Sequence, residues 1–444
     1  MTHITIPDPV SFIITTLESY GYEAYAVGGC IRDALLGFRP ADWDVCTSAL
    51  PAQTKACFNA FQTIDTGLRH GTITLVLDGR PYEITTFRID GVYSDNRHPD
   101  SAEFTADIYA DLARRDFTIN ALAYNPNAGL IDRYGGVSDL QSGVIRCVGE
   151  PDKRLNEDAL RIIRALRFAS TLGYVIDDAT SRSIIKNTKL LNNIALERIS
   201  SELVKLIVGD DVYRVMDEYK PVFVEIIPEL ALTIGFEQNN PRHIYDVYRH
   251  MIRSVANAPK DHIVRLTMLL HDIGKPVCYT EEDGCGHFHG HQQLSSEIAN
   301  DILSRMKFDR YTISLVTKLI RYHDIELQPE RTHVKRQLNR FGENVLRLLM
   351  QVKEADTRAK SVATQERWLP KLNEALVIMD DIVNERQCYS LDSLAINGDD
   401  IIKLGIPEGE PIGVLLYKAL DMVIDELIPN EKQALINHLE ALVK

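Results

Sequence analysis

The stretch Ala24-Tyr25-Ala26-Val27-Gly28-Gly29-Cys30-Ile31-Arg32-Asp33, with Asp42-Trp43-Asp44 close behind it, decides the reading of the chain. A short apolar run precedes two glycines. Residues 31–36 then show helical spacing and stop near Gly37. The order is strand, glycine turn, helix, then a second strand carrying two carboxylates. Glycines at the turn let backbone approach a ligand closely, and the N–H groups of a new helix favour an anion. Arg32 adds a fork of donors suited to phosphate. On a strand, Asp42 and Asp44 project from one face and repel unless cations sit between them. Mg²⁺ suits hard oxygens shared with substrate phosphates, so two Mg²⁺ ions on Asp42 and Asp44 are expected. A lone Gly-Gly is an ordinary tight turn, and a lone Asp-x-Asp a solvated strand end. Their succession at this spacing points to a bound nucleoside triphosphate.

The chain has 444 residues, enough for two to four domains with cores of their own. With 45% hydrophobic and 25% charged residues it has globular composition. It shows no long apolar run and no signal-peptide pattern, so a cytoplasmic protein with no membrane partner is expected. Seven scattered cysteines fit reduced thiols rather than a disulfide framework. A net charge of −14 excludes a uniformly basic coat, so any nucleic-acid contact must come from local patches.

Residues 8–20 read as a leading helix with Phe12, Ile13, Leu17 and Tyr20 on one face. Thr72 to Leu77 alternates as a strand, Asp78-Gly79 signals a hairpin, and Pro81 to Phe87 returns with Glu83 upon it. Residues 89–104 have no usable period and many turn formers, which predicts a long functional loop.

Two further polar runs interrupt apolar sequence. One is Asp111-Leu112-Ala113-Arg114-Arg115-Asp116-Phe117-Thr118-Ile119-Asn120-Ala121. The other runs from Arg154 to Phe168 and reads as one helix capped by Asn156. Its buried stripe is Ala159, Ile162, Ile163 and Leu166, with Glu157, Asp158, Arg161 and Arg164 opposite. An ionised Asp only accepts hydrogen bonds and Arg only donates them. Cytosine and adenine both offer an amino donor beside a ring-nitrogen acceptor, which Asp158 and Arg161 complement. Guanine and uracil reverse that order and would leave polar groups unpaired.

The Gly28-Gly29-x-x-Arg32-Asp33, Asp42-x-Asp44, Arg114-Arg115-Asp116-Phe117-Thr118-x-Asn120-Ala121 and Glu157-Asp158-x-x-Arg161 motifs together resemble the class II tRNA nucleotidyltransferases (CCA-adding enzymes) and the related bacterial poly(A) polymerases. The resemblance implies a polymerase-beta-like mixed α/β head followed by helical domains, an α+β chain overall. It implies sugar and phosphate contacts by Arg115, Asp116 and Asn120. A carboxylate near Glu83 is the third acid of such sites, against the alternative of an exposed strand glutamate. Residues 89–104 resemble the flexible loop associated with switching from C to A addition, which leans against a CC-only enzyme. The implied activity is template-independent addition of C, C and A to the tRNA 3′ end from CTP and ATP. Poly(A) polymerase or A-adding activity shares the head motifs and stays open. An HD-type hydrolase with an RNA-binding head is an alternative of another class.

A second constellation follows Pro241. His250 lies in an apolar-periodic helix, and Leu269-Leu270-His271-Asp272-Ile273-Gly274-Lys275-Pro276 places a His-Asp pair before a helix stop. This resembles the HD phosphohydrolase superfamily pattern, H…HD…D. His250, His271, Asp272 and Asp324 are the expected ligands of a divalent transition metal. Eight of the 13 histidines fall between 243 and 323. His287, His289, His291 and His323 are further candidates for a second metal or for phosphate. A zinc site from Cys278, Cys285, His287 and His289 is a rival.

From Glu330 to Lys371 there are ten Lys/Arg against five Asp/Glu. Arg336, Arg340, Arg347 and Lys353 on one broad helical face would contact tRNA phosphates; ordinary surface charge is the alternative. The expected domains are 1–150, the nucleotidyltransferase head; 151–235, a base-selecting neck; 236–330, the HD domain; and 331–444, a tRNA-binding body and tail. A monomer or homodimer is expected.

Overall fold

The structure is a computed structural model that describes residues 4–65, 67–68, 71–91 and 102–443. It divides into two compact units, residues 1–228 and 229–444.

The first unit opens with helix α1 (Asp8–Ser19), which lies against strands β1 (Ala24–Val27) and β2 (Val45–Thr47). Its buried residues are Val10, Ile13, Ile14 and Leu17, whereas Phe12 and Tyr20, expected inward, are exposed. Helix α2 (Gly29–Leu35) follows the glycine turn, and α3 (Pro51–Cys57) has proline in its first turn, where the missing N–H costs nothing. Strands β3 (Gln62–Ile64), β4 (Thr72–Leu77) and β5 (Arg80–Thr86) come next. The β4–β5 hairpin turns on Asp78 and Gly79, both at positive φ, as a two-residue primed turn requires.

The ends of the segment expected as loop 89–104 form a small ribbon, β6 (Arg88–Asp90) with β7 (Ala102–Phe104); its centre lies outside the described residues. Helix α4 (Ile108–Ala113), β8 (Leu122–Asn125), β9 (Gly129–Asp132) and α5 (Gly136–Ser142) complete the head.

The main sheet has the order β3-β4-β5-β2-β1-β8-β9. Among the described residues of this sheet, only the β2–β5 pair runs parallel. All four residues of β1 are buried, because both faces of this central strand are covered. Tyr25, Val27, Cys46, Phe87, Ile108, Leu112 and Ala123 pack into one cluster on one face, which fixes α4 and the residues after it beside the strand ends.

Helices continue with α6 (Pro151–Glu157), α7 (Leu160–Leu172), α8 (Asp178–Lys186), α9 (Leu196–Ile207), α10 (Val212–Glu218) and α11 (Lys220–Ile226). The single helix expected through 154–168 is two helices. Asp158 is extended between them (φ −137°, ψ 103°) and its carboxylate accepts from the Leu160 N–H at 3.0 Å. A short polar side chain that satisfies an opening helix's own N–H competes with helix continuation, which explains the break. Asn156 does not cap; its amide donates back to the Asp152 carbonyl.

The second unit holds α12 (Val247–Asn257), α13 (His262–Leu270), α14 (His291–Arg305), α15 (Arg310–Tyr322), α16 (Arg331–Phe341), α17 (Glu343–Arg358), α18 (Val362–Asn384), α19 (Gly398–Lys403), α20 (Glu410–Ile424) and α21 (Lys432–Val443). Asp246, Asp261 and Asp309 cap α12, α13 and α15 with their side chains. Helices α12, α13, α15 and α17 pack on one another. The unit is not wholly helical: Thr280–Glu282 pairs with Cys285–His287 in a hairpin. The last helices close a separate cluster around Ile401, Leu420 and Leu439. Among the described residues, no helix is long and apolar enough to cross a membrane.

Candidate functional site

Gly28 sits at φ 82°, ψ −130°, conformational space open to glycine. A Cβ there would stand 2.8 Å from Nη1 of Arg115. The Gly28 N–H donates to the Leu122 carbonyl at 2.9 Å and ties the turn to β8. Gly29, by contrast, is an ordinary first-turn residue with room for a Cβ: the nearest atoms are the Arg32 guanidinium nitrogens, at 3.6 Å and beyond.

Asp42 and Asp44 are not on the strand as expected; β2 begins at Val45 and both acids lie in the segment leading into it. The Asp44 carbonyl still accepts from the Val27 N–H at 3.0 Å, so the segment is fastened to the end of β1. The parallel register pairs Val45 with Ile84, which brings Glu83 beside Asp44. The Asp44 carboxyl is pushed above the usual carboxylate range, first by loss of solvent, then by the charge of Glu83. Asp42 adds to the rise and Arg115 opposes it.

Beside it runs a chain of charge-assisted bonds. Arg32 donates to Oδ1 of Asn120 at 2.7 Å. The Asn120 amide donates to Oδ1 of Asp116 at 3.0 Å, which also accepts from the Phe117 N–H. The other oxygen of Asp116 takes both Nε (3.0 Å) and Nη2 (2.6 Å) of Arg164. This partner holds the buried Asp116 carboxyl well below the usual range despite its desolvation. Asp111 anchors Arg114 and Arg115 through its two oxygens. Arg32, Arg164 and Arg167 gather over the ring of Phe168, at 4.9, 5.6 and 3.8 Å from its centroid. Glu202 holds Arg167 at 2.6 Å.

Arg161 is buried, and its guanidinium donates to Glu157, to the Arg154 carbonyl and to the Arg114 carbonyl, each at 2.9 Å. Asp158 lies at the helix break with Arg198 3.5 Å from its carboxylate. The four polar residues expected on one helical face therefore divide: Glu157 ends α6, Asp158 is the joint, and Arg161 and Arg164 point back to the head from α7. Arg167, Phe168, Arg198 and Glu202 had no role in the sequence reading. The recurrence of Arg at 161, 164 and 167, with Phe168 in the same turn, was the available signal.

The second unit carries a separate buried cluster. His250, His271, Asp272, His291, His323 and Asp356 are all buried. Nε2 of His250 is 3.0 Å from Oδ1 of Asp356 and 3.4 Å from Oδ2 of Asp272. Nε2 of His271 is 3.2 Å from the same Asp272 oxygen. Asp324, expected to complete this group, does not; Asp356 does, from α17, past the point where the sequence reading ended the domain. Asp324 stands instead with His291 and His323, 3.6 and 3.8 Å from their Nε2 atoms. His287 and His289 stack on each other, and no cysteine joins any group of converging ligands among the described residues, which removes the zinc rival. The four basic residues expected on one face are split between α16 and α17. Arg336 pairs with Asp425, Arg347 with Glu343 and Asp380, and Arg340 lies over Tyr322 and Phe341, so most of that charge is used internally.

The poly A polymerase head domain profile matches residues 24–146, that of the RNA-binding region of polymerase A residues 173–231, and that of tRNA nucleotidyltransferase domain 2 residues 281–439. The CCA-adding enzyme of Lactiplantibacillus plantarum is 32% identical over 437 residues, 96% of this chain and 94% of that one. That of Limosilactobacillus reuteri is 48% identical over 204 residues, 46% of this chain and 50% of that one. The structure of the Bacillus stearothermophilus CCA-adding enzyme in complex with CTP superposes with a TM-score of 0.72 at 28% identity, covering 98% of each chain. With the full-length likeness to the first of these and the matching fold of the last, this chain belongs to the CCA-adding family of tRNA nucleotidyltransferases.

Proposed function

We propose that the protein adds C, C and A to the 3′ end of tRNA from CTP and ATP. The observation that carries this is the continuity of the first unit: the Arg32–Asn120–Asp116–Arg164 chain is bonded link by link, Arg161 reaches the Arg114 carbonyl, and Arg115, held by Asp111 beside Arg114, acts electrostatically on Asp44 of the acidic group.

The acidic residues fit divalent Mg²⁺, because like-charged carboxylates that raise one another offer hard oxygens a cation can share with substrate phosphates. Bound there, the metal would offset charge on the triphosphate and on departing pyrophosphate. Asp42, Asp44 and Glu83 orient the terminal tRNA hydroxyl toward the α-phosphorus; the new P–O bond forms there as the bond to the β-phosphate oxygen breaks. Gly28, Gly29, Arg32 and Arg115 face the triphosphate, while Asp116 and Asn120 face the ribose. Asp158 accepts the exocyclic amine of cytosine or adenine, and Arg161 donates to the ring nitrogen. Glu157 holds the Arg161 fork in place.

Asp158→Asn tests the base-selecting step. The amide presents a donor where only an acceptor stood. The preference for CTP over UTP should fall about 10²-fold or more in single-nucleotide incorporation, with the melting temperature little changed. Unaltered preference would remove Asp158 from base selection.

The buried histidine–aspartate cluster favours a second reading, a divalent transition-metal phosphohydrolase acting on 3′ or 2′,3′-cyclic phosphates.

A further inference from the structure

We propose that a hollow beside Asp42 holds the unpaired 3′-terminal nucleotides of the RNA acceptor, their bases on Trp43 and Tyr82 and their phosphates on Arg39 and Arg80. The proposal rests on the nucleotide-addition reading and names where its second substrate sits.

The hollow lies within the first unit and measures about 970 Å³. Its wall joins the segment 37–43 to Arg80, Pro81 and Tyr82 at the start of β5. Ile4, Ile6 and Pro7 give it an apolar side. The C-terminal end of α2 lines it through Ala34 and Leu35, whereas Gly28, Gly29 and Arg32 at the other end of that helix do not. Asp42 reaches it from the acidic group; Asp44 and Glu83 are not part of the wall.

The direction of the reaction assigns this space. Phosphoryl transfer sets the attacking and leaving oxygens roughly in line, on opposite sides of the phosphorus. The leaving pyrophosphate belongs with Arg32 and Arg115. The attacking hydroxyl must then approach from across the acids, clear of those two arginines. The hollow borders Asp42 and contains neither Arg32 nor Arg115, so it meets both conditions.

Its lining suits a single strand. Arg39 and Arg80 are exposed, and among the described residues neither has an ion pair or a side-chain hydrogen bond. Arg114, Arg115 and Arg164, by contrast, are each held by an aspartate. In a chain of net charge −14, two unpaired guanidinium groups beside the acids are placed for backbone phosphates. Trp43 and Tyr82 are half-buried in the wall. The register that pairs Val45 with Ile84 brings these two aromatic residues together, two positions back on each side. Phe38, 60% exposed, adds a third ring at the rim. Aromatic faces beside cations bind unstacked bases of any sequence, because every base has a π-face. Repeated addition needs that tolerance, since each transfer leaves a new terminal base in the same place.

The chain has two tryptophans, Trp43 and Trp368, so Trp368→Phe leaves Trp43 as the one indole reporter. In that full-length background, without nucleotide, emission is read as RNA is added. A tRNA lacking its last three nucleotides should quench Trp43. An RNA hairpin whose 3′ nucleotide is base-paired, with no overhang, should not. Undiminished emission at tRNA concentrations that saturate binding overturns the stacking surface. In steady-state transfer, Trp43→Leu should raise KM for tRNA about tenfold or more and leave KM for CTP unchanged, with Trp43→Phe near the parent. Arg39→Gln and Arg80→Gln should each flatten the slope of log tRNA affinity against log salt by about 0.7. A KM rise shared equally by tRNA and CTP, or salt slopes equal to the parent's, overturns the RNA subsite even while C and A are added. Quenching by tRNA in a chain that transfers neither nucleotide supports the subsite and overturns the addition reading.

Discussion

Asp44→Ala lowers the single-turnover rate of CMP and AMP transfer about 10³-fold or more, about 4 kcal/mol of transition-state stabilisation, without loosening the fold. The reasoning is electrostatic. Asp44 stands against Glu83 and Asp42, and its carboxyl is raised by burial and by those like charges. Under the proposed function, cations and phosphate bound at the site would offset that repulsion. Removing one member weakens the divalent site and relieves repulsion together, so activity falls while the melting temperature holds or rises slightly. A variant that keeps transfer within tenfold of the parent, by gel extension of a short tRNA, contradicts this role for Asp44.

Asp116→Ala is the second large effect, and it falls on stability. Asp116 is 8% exposed and takes two guanidinium hydrogen bonds from Arg164. Deleting one partner of a buried ion pair leaves the other charge stranded, at a cost of about 3–5 kcal/mol. Arg164 retains 31% side-chain exposure, so the lower end, about 3 kcal/mol, is expected. The pH dependence has a definite sign. Folding depresses the Asp116 carboxyl below its unfolded value of about 3.9. Its contribution is therefore complete above the unfolded value and is lost as pH falls through the lower folded one. The gap between parent and variant in urea denaturation should be full at pH 7 and pH 5, and should shrink as the pH is taken below about 4. A gap independent of pH over that range excludes the ion pair as its source. The variant should also bind CTP more weakly, because Asn120 and Arg164 lose the group that aligns them.

The sequence made the head legible because its signals were local. The Gly28 turn, the Asp78-Gly79 hairpin and the strand at residues 24–27 each follow from a few adjacent residues, and the structure forms them there. What escaped was non-local. Asp44 and Glu83 meet through a parallel register between β2 and β5, which no local pattern encodes. The helix through 154–168 looked continuous because its apolar spacing is continuous; the interruption comes from a single carboxylate capping Leu160. Asp356 was missed because it lies in a charged stretch of α17 whose other acids and bases are surface residues, and only packing of α17 on α12 and α13 turns it inward. The same packing explains the basic stretch after Glu330: charges that look available in a line of sequence find acidic partners once α16 and α17 are folded.

The central claim is that one nucleoside triphosphate is held between the acids of the head and the Asp158–Arg161 joint. It is tested most directly on tRNA lacking its last three nucleotides, offered CTP, ATP, GTP and UTP singly and CTP with ATP together. The predicted result is two residues added with CTP alone, three with CTP and ATP, and none with GTP or UTP. A long tail from ATP alone, or incorporation that ignores the base, would contradict it.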